Sequence, residues 1–391
     1  MRFKTTTPLA AGDSLTVKTL ANQIQANHAA FDIRQYEHNQ CTPGHPQDLI
    51  THPINYLRPV LHMQDPALNS AIRLYLHFVD HALPIFHSLL HCMPTLAPRK
   101  DESVVKEWTF PEPLVALTAE QKAITWEYLG RLGREIEWKE GSREEMNKGG
   151  KKMVAEGECT LRPDRPLQSC GLLGFGSTIT TSRELIRQVE ASARTGDSRK
   201  HQWCSFDLAT TWLHEISHAV EHAVLPGVGW DDVFLGPGAK TSETGFEVEG
   251  RVLGGRFNVR NGNVGLPRAD TGEVWMREWP DLMTIHEYWD DDNRLIARLP
   301  ATELERLWVK QWRIDWRFVE KMFEDQFWQK HLKARLRQGM LRPERRADLH
   351  ILRKTALTVA EKEKARQESL ANGYVAREID EYLANLDVRP N

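Results

Sequence analysis

Two histidines and one glutamate in the segment TWLHEISHAVEH have the residue types and the spacing to hold a metal ion. His214 and His218 are four residues apart, so an α-helix would place their imidazoles about 6 Å apart along its axis, on one face. Zinc prefers imidazole nitrogen and carboxylate oxygen in a tetrahedral arrangement, and a catalytic site keeps the fourth position for water. Glu215 lies beside that position and could accept a proton from the water. The sequence therefore predicts one Zn²⁺ per chain, with His214 and His218 as ligands and Glu215 as the catalytic base.

The residues around this motif favour a metal site over a chance match. The positions between 212 and 220 outside the motif carry uncharged side chains, which predicts a buried amphipathic helix. Two other histidine pairs have the same spacing but lack the adjacent glutamate, so packing or surface roles are expected for them: His77 with His81, and His87 with His91.

At these residues the sequence resembles the zincin metallopeptidases. The metzincin branch would need glycine and histidine at the third and sixth positions after His218, where Glu221 and Val224 stand. The resemblance is therefore gluzincin-like, and it implies that a glutamate on a downstream helix is the third ligand. The segment ETGFEVEGRVLGG begins at Glu243, 25 residues after His218, and also looks like uncharacterised fungal HExxH proteins. The resemblance covers roughly residues 170 to 260.

Three glutamates compete for the role of third ligand within that segment. If the segment is helical throughout, Glu243 and Glu247 share a face, while Glu249 lies about 160° from Glu247 and about 120° from Glu243. The E-x-x-x-E spacing resembles the gluzincin arrangement, which implies that Glu243 binds zinc and that Glu247 accepts a hydrogen bond from a ligand histidine. A looser alignment with another HExxH family would make Glu247 the ligand.

The same resemblance implies two further roles. A strand ahead of the zinc helix would pair with extended substrate, and LLGFGSTIT occupies that place. A histidine or tyrosine would stabilise the oxyanion, and His286 and Tyr288 are the nearest matches after the third-ligand segment.

Pattern and capping residues predict an α+β, mostly helical chain with a zincin-like catalytic unit. We divide it into an N-terminal helical region (1–115), a catalytic domain (116–300) and a C-terminal helical extension (301–391). The predicted elements are an apolar helix over 68–90, a helix from a Thr118–Gln121 capping box to about residue 138, a strand in 170–181, a helix with a Thr181–Glu184 cap, a zinc helix starting near Ser205 or Asp207 and ending before the turn at 225–229, and a helix from a Thr302–Glu305 cap carrying aromatic residues 308 to 327.

The composition indicates which partners and which cellular compartment to expect. The 391 residues carry a formal net charge of -3, which gives no global reason to expect nucleic acid or a membrane surface as partner. The N-terminus lacks the apolar run of a signal peptide, and no stretch is long and apolar enough to span a membrane. Five widely spaced cysteines without a CxxC pair suit reduced thiols. We expect a cytoplasmic protein.

The motif and its resemblance together predict a zinc metallopeptidase that hydrolyses peptide or small amide substrates through a zinc-activated water. Two alternatives stay open. The zinc centre could serve a small-molecule step in a fungal-type secondary-metabolite pathway, or the fold could be a non-catalytic scaffold that binds a partner through the aromatic helix.

Overall fold

A computed structural model describes most of the central part of the chain. The described residues are 56–59, 66–98, 106–146, 156–225, 232–257, 273–277, 279, 308–328, 341, 345–352, 356–357, 359–371 and 387–388. The helices are α1 (Asn69–His91), α2 (Ala119–Glu135), α3 (Arg143–Met146), α4 (Arg183–Thr195), α5 (Ser198–Val224), α6 (Thr244–Leu253), α7 (Trp316–Lys321) and α8 (Val359–Ala371). None of them has the length and apolar character needed to cross a membrane.

Short strands connect and flank these helices. They are β1 (Thr95–Pro98), β2 (Lys106–Thr109), β3 (Glu137–Gly141), β4 (Gly157–Pro166), β5 (Phe175–Ser182), β6 (Asp232–Phe234), β7 (Arg256–Phe257), β8 (Glu273–Arg277), β9 (Trp308–Asp315), β10 (Arg345–Leu352), β11 (Ala356–Leu357) and β12 (Asp387–Val388). The described chain is α+β, with helices as the larger share, in agreement with the predicted class.

Helix α5, which carries the HExxH motif, is longer than predicted. Its N-cap is Asp197, whose side chain accepts a hydrogen bond from the Lys200 amide at 3.0 Å, so the helix begins several residues before Ser205. It ends at Val224, as expected, because Pro226 restricts the preceding residue to extended conformations.

The core side of α5 is built from aromatic side chains. Trp212 is fully buried, and its indole N–H donates to Thr181 Oγ1 at 3.0 Å. Its ring packs edge-on against Tyr75 of α1, with ring centres 5.9 Å apart, and Phe206 packs in the same way against Phe78. These contacts fix α5 against α1, so the motif lies on a helix held by the main core.

A three-stranded sheet in the order β3-β5-β4 lies beside α5. Strand β5 confirms the strand predicted in 170–181 only from Phe175 onward, because the chain before it forms a turn. The strand is central: it pairs in parallel with β3 and antiparallel with β4. Both of its edges are therefore occupied, and the prediction that this strand pairs with substrate is wrong. Among the described residues β4 pairs with β5 alone, so β4 is the edge strand next to α5.

Local capping was predicted more accurately than helix length. Thr118 and Gln121 form the expected capping box, but α2 ends at Glu135 and Trp138 belongs to β3. Helix α4 starts one residue later than predicted, because Ser182 and not Thr181 caps it through the Leu185 amide at 3.2 Å. The apolar helix over 68–90 is confirmed as α1, which includes Pro84.

The predicted aromatic helix after Pro300 is wrong. Residues 308–315 form strand β9, which pairs antiparallel with β8 and β10, and a short helix begins only at Trp316. The reason is that Trp308, Trp312 and Trp316 are four residues apart, a spacing that lies on one face of both a helix and a strand. Thr302 and Glu305 lie outside the described residues.

The three sequence regions contribute to one core. A continuous cluster of buried side chains includes Leu57 and α1, the motif-bearing helix α5, and Trp316 and Leu341 near the other end of the chain. The predicted domain boundaries at residues 115 and 300 therefore stay predictions, drawn from the sequence alone.

Candidate metal centre

Helix α5 carries the three motif residues in its carboxyl-terminal half. Glu215 is 5% exposed, while the side chains of His214 and His218 are 13% and 23% exposed. The two histidines therefore border a partly open space, and the glutamate between them is buried.

Glu243 completes a cluster with the two histidines. Its Oε1 lies 2.7 Å from His218 Nε2 and 3.2 Å from His214 Nε2, and the two Nε2 atoms are 3.3 Å apart. These ligand atoms form the one potential metal-binding group of three or more residues among the described residues. The structure thus brings together the three residues predicted as metal ligands.

The distances within this cluster can be compared with those of a bound zinc ion. Ligands about 2.0–2.1 Å from a tetrahedral zinc are about 3.3–3.4 Å from each other. The two distances from His214 Nε2, 3.2 and 3.3 Å, match that spacing. The third, 2.7 Å between His218 and Glu243, has the length of a charge-assisted hydrogen bond and would need to open by about half an ångström. The donor set and its spacing fit zinc with this small adjustment.

Glu243 reaches the histidines because it is the N-cap of α6 and not a residue of the helix. Its Oε2 accepts a hydrogen bond from the Phe246 amide at 2.5 Å, while Oε1 faces the histidines. The extended backbone of an N-cap turns its side chain back across the helix end. One carboxylate thus both caps α6 and faces the two histidines.

Glu249, and not Glu247, contacts a histidine of the cluster. His214 Nδ1–H donates to Glu249 Oε1 at 2.7 Å, which orients the ring so that Nε2 points toward the cluster. The predicted role of Glu247 in this position is wrong, because the helix-face argument assumed that Glu243 lies inside the helix.

Glu247 instead has structural partners. Its Oε1 accepts from the Thr241 hydroxyl at 2.8 Å, and its Oε2 lies 3.8 Å from Arg251 Nε. Burial raises the pKa of Glu247. This carboxylate stabilises the loop before α6 and does not face the histidines.

Without a bound metal ion, the positive charge in the cluster comes from protonated histidine side chains. Burial alone would lower the pKa of His214, but the charge and hydrogen bond of Glu243, with the hydrogen bond to Glu249, raise it to about 10. Burial would raise the pKa of Glu243, but the charges of His214 and His218 hold it well below its usual range. The cluster thus favours a cation between the imidazoles and the carboxylate.

Strand β4 begins directly against the predicted base. A Cβ atom placed on Gly157 would lie 2.6 Å from Glu215 Oε1 and 2.7 Å from Thr211 Cγ2. Burial raises the pKa of Glu215, while the nearby charges of His214 and His218 oppose that effect. The edge strand and the base carboxylate therefore meet at one place beside the cluster.

Gly245 lies against the face of the His214 ring. A Cβ atom there would be 2.6 Å from three ring atoms, so Gly245→Ala must displace the ring or α6. We expect this variant to lose about 1–3 kcal/mol of unfolding free energy, measured by urea denaturation of metal-free protein. Gly238→Ala is the control, because nothing lies within 4 Å of its added Cβ. Equal stabilities of the two variants would show that the His214 ring is not confined as described.

Other sequence candidates do not join the centre. His77 stacks on Trp328, with ring centres 4.4 Å apart, and His87 Nδ1 lies 2.8 Å from Thr125 Oγ1, as the expected packing roles imply. The proposed oxyanion donors His286 and Tyr288 lie outside the described residues.

The sequence named Asp207 only as a possible start of the zinc helix, and its place as a half-buried acid near the centre was not predicted. Asp207 lies two helical turns before His214 on α5, and burial together with the negative charge of Glu249 raises its pKa to about 7. The seven-residue spacing from His214 was the available indication that both residues share one face.

Comparisons with known protein families, with curated proteins and with solved structures returned no match.

Proposed function

We propose that this protein is a zinc-dependent metallopeptidase-type hydrolase. The observation that carries the proposal is the convergence of His214 Nε2, His218 Nε2 and Glu243 Oε1 within 4.8 Å of one another, with Glu215 buried beside them. Two neutral imidazoles and one carboxylate are the ligand set of many catalytic zinc sites, which leave the fourth position open.

When bound, zinc would supply Lewis acidity that polarises a substrate carbonyl and makes water a stronger nucleophile at neutral pH. His214 is oriented for this task by Glu249, whose Oε1 accepts a hydrogen bond from His214 Nδ1–H at an N···O distance of 2.7 Å. Glu215 would accept the proton released by the attacking water at its carboxylate and then transfer it to the leaving amine nitrogen. Its burial favours such exchange, because a desolvated carboxylate is a stronger base than an exposed one.

The position of β4 supports an extended substrate. This strand pairs on one side with β5, and its first residue lies against Glu215. A peptide added along the other side of β4 would form main-chain hydrogen bonds and bring its backbone carbonyls past the metal position. A peptide substrate, as opposed to a compact metabolite, makes use of this edge.

Metal analysis tests the first requirement of the proposal. Protein purified without chelators, after zinc addition and removal of excess, is expected to contain about one zinc per chain by elemental mass spectrometry. His218→Ala is expected to contain essentially none, because it leaves one imidazole and one carboxylate.

His201→Ala provides the matched control for metal analysis. His201 lies on the same helix, but its Nδ1 lies near Ser192 Oγ and the Val189 carbonyl oxygen, at 3.5 and 3.3 Å, and not near the cluster. This variant is expected to keep its zinc. A parent protein that takes up no zinc would contradict the proposed function.

A further inference from the structure

A cavity lies at the carboxyl ends of α1 and α5, away from the candidate metal centre. Its volume is about 680 Å³, and no residue of the His214, His218 and Glu243 cluster lines it. Val224 on its wall is six residues after His218, which is about 9 Å along the helix axis. Cavities of roughly 300–1,000 Å³ are typical of small-molecule sites.

The walls of this cavity are mainly apolar and come from separate parts of the chain. They include Leu90 of α1, Trp108 and Phe110 at strand β2, Ile124 of α2, Leu172 before β5 and Val224 of α5. Most of these side chains also belong to the main core, so the cavity has a well-supported wall. Met93, 40% exposed, and Glu120 lie at its solvent side.

One polar group in the wall has a defined hydrogen-bonding state. The Thr125 hydroxyl donates its single proton to the Gln121 carbonyl at 2.7 Å, so at 2.8 Å from His87 it must accept. His87 therefore carries its proton on Nδ1, and Nε2 has a lone pair. Burial lowers the pKa of His87, which keeps the ring neutral. Among the described residues no hydrogen bond engages Nε2.

The charged residues that line the cavity are both carboxylates. Glu120 is exposed at the solvent side, and Glu127 is paired with Arg131 of the same helix. Glu127 therefore does not require a cationic ligand, while an anionic ligand would meet negative charge at the entrance. A neutral ligand with a hydrogen-bond donor fits both the carboxylates and the acceptor nitrogen of His87.

We propose that this cavity binds a neutral, apolar small molecule whose hydroxyl or N–H group donates a hydrogen bond to His87 Nε2. The site is separate from the metal centre, and the inference does not rest on the proposed function.

N-phenyl-1-naphthylamine is a suitable probe, because it is neutral and apolar, has one N–H donor, and fluoresces strongly in apolar surroundings. Its fluorescence is expected to rise to saturation with the full-length protein, and chelation of metal should not change the affinity. Ala123→Trp places a large ring on the cavity wall from an exposed position of α2 and should weaken binding by about tenfold or more. Ala191→Trp, at an exposed position of α4, should bind like the parent.

His87→Phe tests the donor bond, because it keeps a ring but removes the acceptor. This variant should bind the amine probe roughly 2- to 10-fold more weakly than the parent does. Its affinity for 1-phenoxynaphthalene, which has no donor, should be unchanged in a competition assay. The sulfonated analogue, 8-anilinonaphthalene-1-sulfonate, should bind the parent more weakly than the neutral probe.

Three results would overturn the inference. They are an absence of saturable binding, equal affinity of Ala123→Trp and the parent, and loss of binding on metal chelation. Unchanged affinity of the amine probe in His87→Phe, or tighter binding of the sulfonate, would overturn the assigned ligand chemistry.

Discussion

Glu215→Gln is expected to abolish peptide hydrolysis while leaving the zinc content of the protein unchanged. The amide has nearly the same shape, which matters because the backbone at Gly157 leaves little room around this side chain. It cannot accept a proton as a carboxylate does, and loss of general base catalysis typically costs about 10²–10⁴ in rate. Turnover of a peptide library by mass spectrometry, together with zinc content, measures both properties in one preparation.

The control for this variant removes a carboxylate elsewhere. Glu190→Gln changes a residue of α4 that lies 4.0 Å from Arg194 and does not touch the centre, so its activity should equal that of the parent. Full turnover by Glu215→Gln would show that this residue is not the proton carrier. Loss of zinc from the same variant would give it a structural role in place of the proposed one.

The three downstream glutamates are expected to differ sharply in their effects on zinc affinity. Glu243→Ala should remove measurable binding, because its Oε1 is the carboxylate oxygen next to both Nε2 atoms. Glu249→Ala should lower affinity by about 10- to 100-fold, because His214 loses the acceptor that orients it. Glu247→Ala should keep the affinity of the parent. Competition with a chromophoric chelator measures all three variants.

Glu247→Ala also serves as the matched control, since it alters a buried carboxylate on the same helix. It should lower the free energy of unfolding by about 1–3 kcal/mol, because the Thr241 hydroxyl loses its acceptor. If Glu247→Ala weakened zinc binding more than Glu243→Ala did, the assignment of the third ligand would be wrong.

The sequence was most informative where structure depends on neighbouring residues. The HExxH spacing places His214 and His218 on one helical face whatever the rest of the chain does, and the Thr118 capping box closes within one helical turn. The choice among the three glutamates depended on where α6 begins. That start is one residue after Glu243, so a face calculation that included Glu243 assigned the wrong partner to His214.

Strand order and the C-terminal region depended on contacts between distant residues. A strand sequence such as that of β5 does not reveal whether neighbours will occupy both of its edges, and here β3 and β4 do. Tryptophans at intervals of four fit a helix and a strand equally, so pairing with β8 and β10 decided the conformation of residues 308–315.

Gly245 restricts which other sequences could build this centre. Its missing side chain provides the space that the His214 ring occupies, so a larger residue there is incompatible with the ring position. Glu243 must stand two residues before it to cap α6, and Glu249 four residues after it to meet His214. A protein with the same centre should therefore carry E-x-G-x-x-x-E downstream of HExxH. This paired signature is far more selective in a genome search than the five-residue motif alone.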